Sequence, residues 1–529
     1  MNTNELHRLQ MHGQDVPWLL AHQAQYRTDH PALIWDPGQG ATRQWTYGEL
    51  HRDVGQIAGG LAARGIGVGD KVLVHAANCP EGVLAWLACA SVGAVSVSTN
   101  TSSTASELSW LAQKAHCVAA ITQTRFADMV AAASAELKWV AVIDDEDPTA
   151  GTGSNDATGN RETFRSLYAS EEAWTGRIPD PMLPVGIMFT SGTTSKPKAV
   201  VHTHANAIWA SRTGPRNIDL GPDDRYLIYT PLFHVNAQTW ALCSVLGVGA
   251  TAVLMPKWSS SRFWEVVERQ AITHISMMPF CLSTLMTPDR PDTALRVGVF
   301  GLIMPEGPQL FGLDVYAAYG MTETVIHAIS GKPADNLPTR SMGRVTAGYE
   351  LAIVDKDTGD LSAEGETGEL WLRGTRGIQL FLEYFENPEA NQAAFQDGWF
   401  KTGDMVKMAP DGSVSFVERS NDLLKVGGEN VSAREVEETI AAVDGVTKAA
   451  VVARRDDFLD QVVVAFVTKA PDVADDAALI DRVMDRCTGD LSKFKVPRAV
   501  YIIDEIPMGE LGKVLKNRLR EMAEALPPL

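Results

Sequence analysis

The chain has 529 residues, 45% hydrophobic and 21% charged, the balance of a globular protein too long for one simple core. With 46 basic against 65 acidic residues its net charge is −19, which disfavours a nucleic-acid backbone or an anionic membrane surface as partner. Six scattered cysteines, with no CxxC pair and no His cluster at metal-ligand spacing, read as small buried hydrophobes in a reducing compartment.

In chain order, the opening stretch MNTNELHRLQMHGQD lacks a basic segment followed by an apolar core, so no secretory signal is expected and a cytoplasmic location is. The runs KVLVHAA, CVAAITQ, WVAVIDD, VGIMFT, DRYLIYT and ATAVLMP are short and rich in Val, Ile and Ala. They alternate with helical patterns such as SRFWEVVERQA, which predicts an α/β protein with largely parallel, buried strands. Between them DPTAGTGSNDATGNRE is small, polar and turn-prone, the composition of a surface loop. The longest uncharged run, Val235–Pro256, holds Asn236, Gln238 and several glycines and reads as helix, turn and strand instead of a membrane span. From about Leu351 the texture changes: ELAIVDKDTGD, GELWLRG and GSVSFVER alternate apolar and polar residues around glycine turns, which predicts antiparallel hairpins. After Arg419 and a short polar linker, Ser420–Asp422, comes a small α+β unit of about one hundred residues, large enough for its own core.

The segment MFTSGTTSKPKAV, Met188–Val200, concentrates small hydroxyl donors and two lysines between two strand-like runs. It is not a Walker A loop: after Gly192 the second required glycine falls on Pro197, and no Lys-Ser or Lys-Thr pair follows in register. Gly192 lets backbone approach an anion, Thr190, Ser191, Thr193 and Thr194 offer hydroxyls, and Lys196 and Lys198 supply charge. Alone, such a stretch reads more readily as a solvated Ser/Thr/Gly turn. Four more segments follow it in order: AAYGMTET, WFKTGDM, ERSNDLLKVGGENVS and MGELGKVLKN.

With these five motifs in series, from WTYGEL to the C-terminal helix, the sequence resembles the adenylate-forming superfamily of acyl- and aryl-CoA synthetases, peptide-synthetase adenylation domains and luciferases. The segments TSGTTSKPK, YGMTETV, GGENVS and KFKVP are most similar to its crotonobetaine/carnitine–CoA ligase branch. The resemblance implies a large N-terminal domain, residues 1–419, of two parallel-type sheets with helices plus a small β-barrel, and a mobile α+β domain, residues 420–529. It implies ATP, Mg²⁺ and coenzyme A as cofactors and co-substrates, and a small carboxylic acid as partner. The Thr190–Lys198 loop would cradle the β- and γ-phosphates, with Tyr319, Gly320 and Met321 leading to Thr322 on the α-phosphate. Glu323 would hold Mg²⁺, Asp404 and Arg419 the ribose, and Lys513 the substrate carboxylate and α-phosphate. The small domain would swing about Asn421, presenting either Lys513 for adenylation or the segment Lys425, Gly427, Gly428 for the acceptor thiol. No protein nucleophile is needed, because a carboxylate is ionised at neutral pH and its repulsion by phosphate is relieved by Lys513 and the metal. Nothing in the sequence fixes the oligomeric state; a homodimer is the starting assumption.

Two departures from the family pattern stand out. Ser195 and Ala199 replace glycines common in the loop, and a left-handed residue there would cost about 1–2 kcal/mol. In GLIMPEGPQLFGLDV, Gly301 is followed by Leu302, Ile303 and Met304 where small residues are usual, which predicts a shortened acyl pocket. PLFHVNAQTW supplies another wall, with His234 at the entrance beside a catalytic role, Val235 and Asn236 along it, and Trp240 at its floor; His327 follows the tyrosine motif. Neutral Asn236 and Gln238 suit a hydroxyl better than a trimethylammonium group, so a short acid, branched or hydroxylated members included, is the expected substrate. A carrier-loading adenylation enzyme is the nearest alternative, but FHVNA holds no acid to anchor an α-amino group.

Overall fold

The computed structural model describes residues 3–38, 40–144, 160–168, 174, 177–190, 197–286, 290–356, 358–419, 423–471, 473–508 and 514–527. Continuous apolar runs only make sense if both faces of a sheet are covered, and this is how they are used. Lys71–His75, Val95–Ser98 and Thr251–Leu254 are buried along almost every residue. The helix Pro80–Val92 starts on a proline, ends on left-handed Gly93 (φ 80°), and is buried over nearly its whole length. The helix Tyr47–Ala63 begins with a capping box between Thr46 and Glu49 and buries Leu50, Val54, Ile57 and Leu61.

Among the described residues the strands form four sheets. The first runs Arg344–Val345, Ile329–Gly331, Asp314–Tyr319, Val297–Phe300, His274–Ser276, Arg225–Ile228, Thr251–Leu254, Pro31–Trp35, Arg43–Thr46, parallel through its centre. The second runs Glu383–Tyr384, Lys198–Thr203, Pro184–Thr190, Val95–Ser98, Lys71–His75, Cys117–Gln123, Val140–Ile143, Arg161–Thr163. All six apolar runs singled out in the sequence are strands of these two sheets. The antiparallel strands predicted beyond Leu351 form the third sheet, built on Glu350–Val354, Thr367–Arg373, Trp399–Met408 and Val414–Arg419. In place of the expected barrel it is a five-stranded sheet, and among the described residues no ladder joins Glu350–Val354 to Val414–Arg419.

The fourth sheet belongs to the C-terminal part. The hairpin Leu423–Val426/Glu429–Ser432 and the longer hairpin Val446–Asp456/Asp460–Lys469 pair with each other and with parallel Ala499–Ile502. The helices Ala433–Ala441 and Asp476–Asp490 bury Val436, Ile440, Leu479 and Val483 against it, in an apolar cluster drawn wholly from this part of the chain. The chain thus folds as a large α/β body and a smaller α+β body with separate cores. All six cysteines are free and buried. No helix among the described residues is long and apolar enough to cross a membrane.

Candidate active site

Ligands of open parallel sheets bind beyond the carboxyl ends of the strands, and the tyrosine motif emerges there. The strand Asp314–Tyr319 ends at Gly320, where a Cβ would come within 2.8 Å of the Ile326 oxygen and 2.9 Å of Trp240 Cζ2. Only glycine fits. The chain then makes a 3₁₀ turn, Thr322–Thr324, and reverses at Val325 with φ 66° and ψ −53°. Ile326 N donates to Thr324 O at 2.6 Å, closing a γ-turn of the rare hand on a β-branched residue. The Tyr349 hydroxyl donates to Thr324 O and the Thr239 hydroxyl to Val325 O, holding this strained turn in place.

Three polar contacts fix the motif. The Tyr319 hydroxyl donates to Asp404 Oδ2 at 2.6 Å, and Asp404 is only 1% exposed. The Tyr384 hydroxyl donates to Glu323 Oε1 at 2.9 Å, and Glu323 is 4% exposed. His202 Nε2 donates to Thr322 O at 2.8 Å. Burial lowers the His202 imidazole to about 4, so the ring is neutral and donates from Nε2. Burial and then the Glu323 carboxylate push the Tyr384 phenol well above its ordinary value, so it remains a donor. Lys198 Nζ sits 4.6 Å from the centre of the same tyrosine ring.

Thr190 and Lys198 face each other in an antiparallel ladder flanking the hydroxyl-rich loop. Ser191, Gly192, Thr193, Thr194 and Ser195 lie outside the described residues, as do Asn421 and Lys513. Ala199 pairs with Phe189 as an ordinary strand residue, so the strain considered at that position does not arise. Asp404 is opposite Arg419 in register, although the arginine side chain is outside the described part. Among the described residues no group of three or more His, Cys, Asp or Glu side chains forms a metal cage.

A cavity of about 1300 Å³ joins these residues to the second wall. Thr190, Lys198, Gly320, Met321, Thr322 and Glu323 line one side; His234, Val235, Asn236 and Trp240 line the next. Asn236 opens a π-helix, Asn236–Leu242, a helix type often found at functional sites. Its Oδ1 accepts from the Thr230 hydroxyl at 2.8 Å. Trp240 meets His327 edge to face, with ring centres 4.5 Å apart. His327 is 1% exposed, neither ring nitrogen has a partner among the described residues, and burial lowers it to about 3. It backs the wall and is neutral.

The Gly301–Met304 segment does not do what its bulk predicted. Gly301, Leu302 and Ile303 are absent from the cavity wall: Ile303 packs with Ala317 and Leu337, Leu302 packs on the main core, and Gly301 is exposed. The aromatic wall that the sequence did not announce comes from segments that follow strands, as Tyr229, Trp258 and Phe280.

The small body closes the cavity with its first hairpin. Gly427 (φ 59°) and Gly428 (φ 90°) form the two-residue turn between Val426 and Glu429. Positive φ at both positions, not crowding, is what demands glycine, since a Cβ on Gly428 would meet nothing within 4 Å. Lys425, Gly427 and Gly428 all border the cavity. Beside them Glu429 Oε1 lies 3.1 Å from His234 Nε2 and accepts from Asn100 Nδ2 at 3.1 Å. Burial works against a charged His234, but the charge of Glu429 and the hydrogen bond to it outweigh that and hold the imidazole above its ordinary value. Burial likewise opposes a charged Glu429, and His234 and Asn100 together hold its carboxyl below the usual range.

A family model described as "AMP-binding enzyme" matches residues 20–385, and one described as "AMP-binding enzyme C-terminal domain" matches residues 435–513. A crotonobetaine/carnitine–CoA ligase of Salmonella agona (strain SL483) is 31% identical over 508 residues, covering 93% of this chain and 96% of its own. Among solved structures, a double mutant of o-succinylbenzoate CoA synthetase from Bacillus subtilis with a CoA product analogue superposes with a TM-score of 0.80 at 26% identity, covering 95% of this chain and 98% of its own. The same Bacillus enzyme with ATP and magnesium has the same identity and coverage but a TM-score of 0.66.

Proposed function

Because the chain belongs to the AMP-binding enzyme family, we propose that its cleft joins a short carboxylic acid to coenzyme A, working in two poses of the smaller body. The class of reaction is that of an AMP-forming acid–CoA ligase using ATP and Mg²⁺. In the first half-reaction the substrate carboxylate attacks the α-phosphorus and pyrophosphate leaves. In the second a thiolate attacks the acyl carbon of the mixed anhydride and AMP leaves.

In this reading Tyr319 and Asp404 hold the ribose, Thr322 bonds the α-phosphate, and Thr190 and Lys198 steady the loop that takes the outer phosphates. Glu323 would hold magnesium, which would supply neutralisation of phosphate charge. Lys513, brought in by the small body about a hinge near Asn421, stabilises charge developing between carboxylate and α-phosphate. The pose described above is the thioester-forming one. Two observations support this: the Gly427–Gly428 turn faces the cavity, and the same Bacillus enzyme superposes better with a CoA product analogue than with ATP. We take 1–419 and 420–529 as the two domains. All six cysteines are unbridged, which fits a cytoplasmic enzyme.

One observation supports the short acid: bulky Trp240, backed by buried His327, stands on the cavity wall together with Asn236. No contact of the Asn236 amide nitrogen is present among the described residues, leaving a donor for a hydroxyl or carbonyl on the acyl chain. A second reading, a trimethylammonium acid, is favoured by Phe233, Trp258 and Phe280 on the cavity wall, since aromatic faces hold quaternary ammonium groups. ATP- and CoA-dependent AMP release across C2 to C8 acids, with 2-hydroxy, branched, betaine and aromatic members, separates them. A short neutral acid should give the highest kcat/KM; an optimum at betaines selects the second reading, and one at long fatty chains removes both.

A further inference from the structure

A cluster where the two bodies meet, on the border of the same cavity, is unused by the chemistry above. Glu107 is the third residue of the helix Ala105–Lys114, where its carboxylate accepts from Thr104 N at 2.8 Å in a capping box. That bond alone would satisfy its local role. Yet the same carboxylate reaches across to the small body, where Ser492 Oγ donates to Oε2 at 2.5 Å and Lys495 Nζ to Oε1 at 2.7 Å. Lys495 Nζ also donates to Glu435 Oε1 at 2.8 Å, and the Thr104 hydroxyl donates to Asp490 O at 3.3 Å. The lysine side chain is 9% exposed and the two carboxylates 14% and 12%.

Glu435 stands in the first turn of the helix that directly follows Glu429–Ser432, the second strand of the Gly427–Gly428 hairpin. Lys495 thereby ties the glycine turn to the large body through two carboxylates on opposite sides of the domain boundary. A phosphate-binding role for Lys495 does not fit: its ammonium already has two carboxylate partners, and Glu107 and Glu435 would repel an anion. A desolvated lysine between two acids is costly unless both stay in place, so the contact discriminates strongly between docked and undocked poses.

Resting on the two-pose reading, we propose that Glu107 is a positioning residue for the thioester-forming half-reaction, acting through Lys495 and Ser492 to hold the Gly427–Gly428 turn at the cleft. In the other pose Glu107 keeps its capping bond and only the contacts across the boundary are lost, so adenylation does not need it.

The test measures the half-reactions separately in the full-length protein: ATP–pyrophosphate exchange without CoA, and single-turnover acyl-CoA formation after CoA is added. Glu107→Gln keeps an acceptor for Thr104 N but removes the charge. Acyl-CoA formation should fall about tenfold or more while exchange stays within about twofold and the melting temperature is retained. Lys495→Met should do the same, and Glu107→Gln with Lys495→Met should be no worse than Lys495→Met alone, because both act through one contact. Should Lys495→Met fail to fold, Ser492→Ala gives a milder version of the same split. Equal loss in both half-reactions, no loss in acyl-CoA formation, or independent addition of the two substitutions overturns the proposal while leaving the ligase reading intact. Absence of exchange in the unmodified protein with every acid of the panel removes both.

Discussion

The two sides of the cleft are built on different terms. On the side we assign to the nucleotide, Tyr319 with Asp404, Tyr384 with Glu323 and His202 with the Thr322 carbonyl are buried or part-buried pairs made entirely within the large body. On the side we assign to the thiol the contacts cross a boundary: Glu429 with His234 and Asn100, and Lys495 with Glu107. The first wall is preorganised and needs no assembly; the second exists only while the small body is docked. A two-step reaction with a stable first site and a transient second site gains a means of ordering its steps.

The sharpest way to break this comparison is to remove the cation assigned to adenylation. Lys513→Ala should lower ATP–pyrophosphate exchange by about 10²–10³, the usual loss for one preorganised charge at a transition state. Undiminished exchange would refute the assignment. Asp404→Asn should raise the KM for ATP by about tenfold to a hundredfold, as expected for a lost charged hydrogen bond of ~1.5–3 kcal/mol. Discrimination against 2′-deoxy-ATP should shrink with it; an unchanged preference would move the ribose elsewhere. On the docked side, Gly428→Ala places a Cβ at φ 90°. The strain, about 1–2 kcal/mol, should lower acyl-CoA formation roughly tenfold relative to exchange. Trp240→Ala should improve longer acids by about fourfold for each methylene that enters the vacated space, read as a shift in the substrate profile.

The smallest effect is one of pH. His234 is held above its ordinary 6.5, so its contribution to docking is complete below that value and is lost as pH rises through the raised one. Glu429 is held below its ordinary 4.5, so its contribution is present above that value and lost as pH falls through the lowered one. Docking, followed by fluorescence transfer between labels on the two bodies, should therefore weaken by a few-fold, on the order of 1 kcal/mol, as pH rises through the raised His234 value. The charged group acting on His234 is Glu429, and Glu429 in turn feels Lys495, with Asn100 as its neutral partner. His234→Gln should flatten the profile; an unchanged slope would show that some other group titrates.

Much of the wall assigned to the nucleotide could be proposed from the sequence because its residues sit in short contiguous motifs: YGMTE and TGD each bring their own turn. The strands were legible for a similar local reason, since burial on both faces leaves unbroken apolar runs. What escaped notice depends on distant residues meeting. Tyr384, the partner of Glu323, comes from FLEYF, an ordinary apolar-acidic stretch with no spacing to mark it. Glu107 reads as one half of a capping box and Lys495 as one of several lysines near KFKVP; 388 residues separate them. The Gly301–Ile303 segment shows the opposite failure. Its bulk was visible, but the direction in which Ile303 points is set by packing against Ala317 and Leu337, which no local pattern reveals.

The division of labour between the two walls is tested most directly by giving Lys513→Ala a chemically prepared acyl-adenylate together with CoA. Acyl-CoA and AMP should form at close to the rate of the unmodified protein, because only the step that makes the adenylate has been removed. If thioester formation is lost as completely as adenylation, the two steps do not use separate poses.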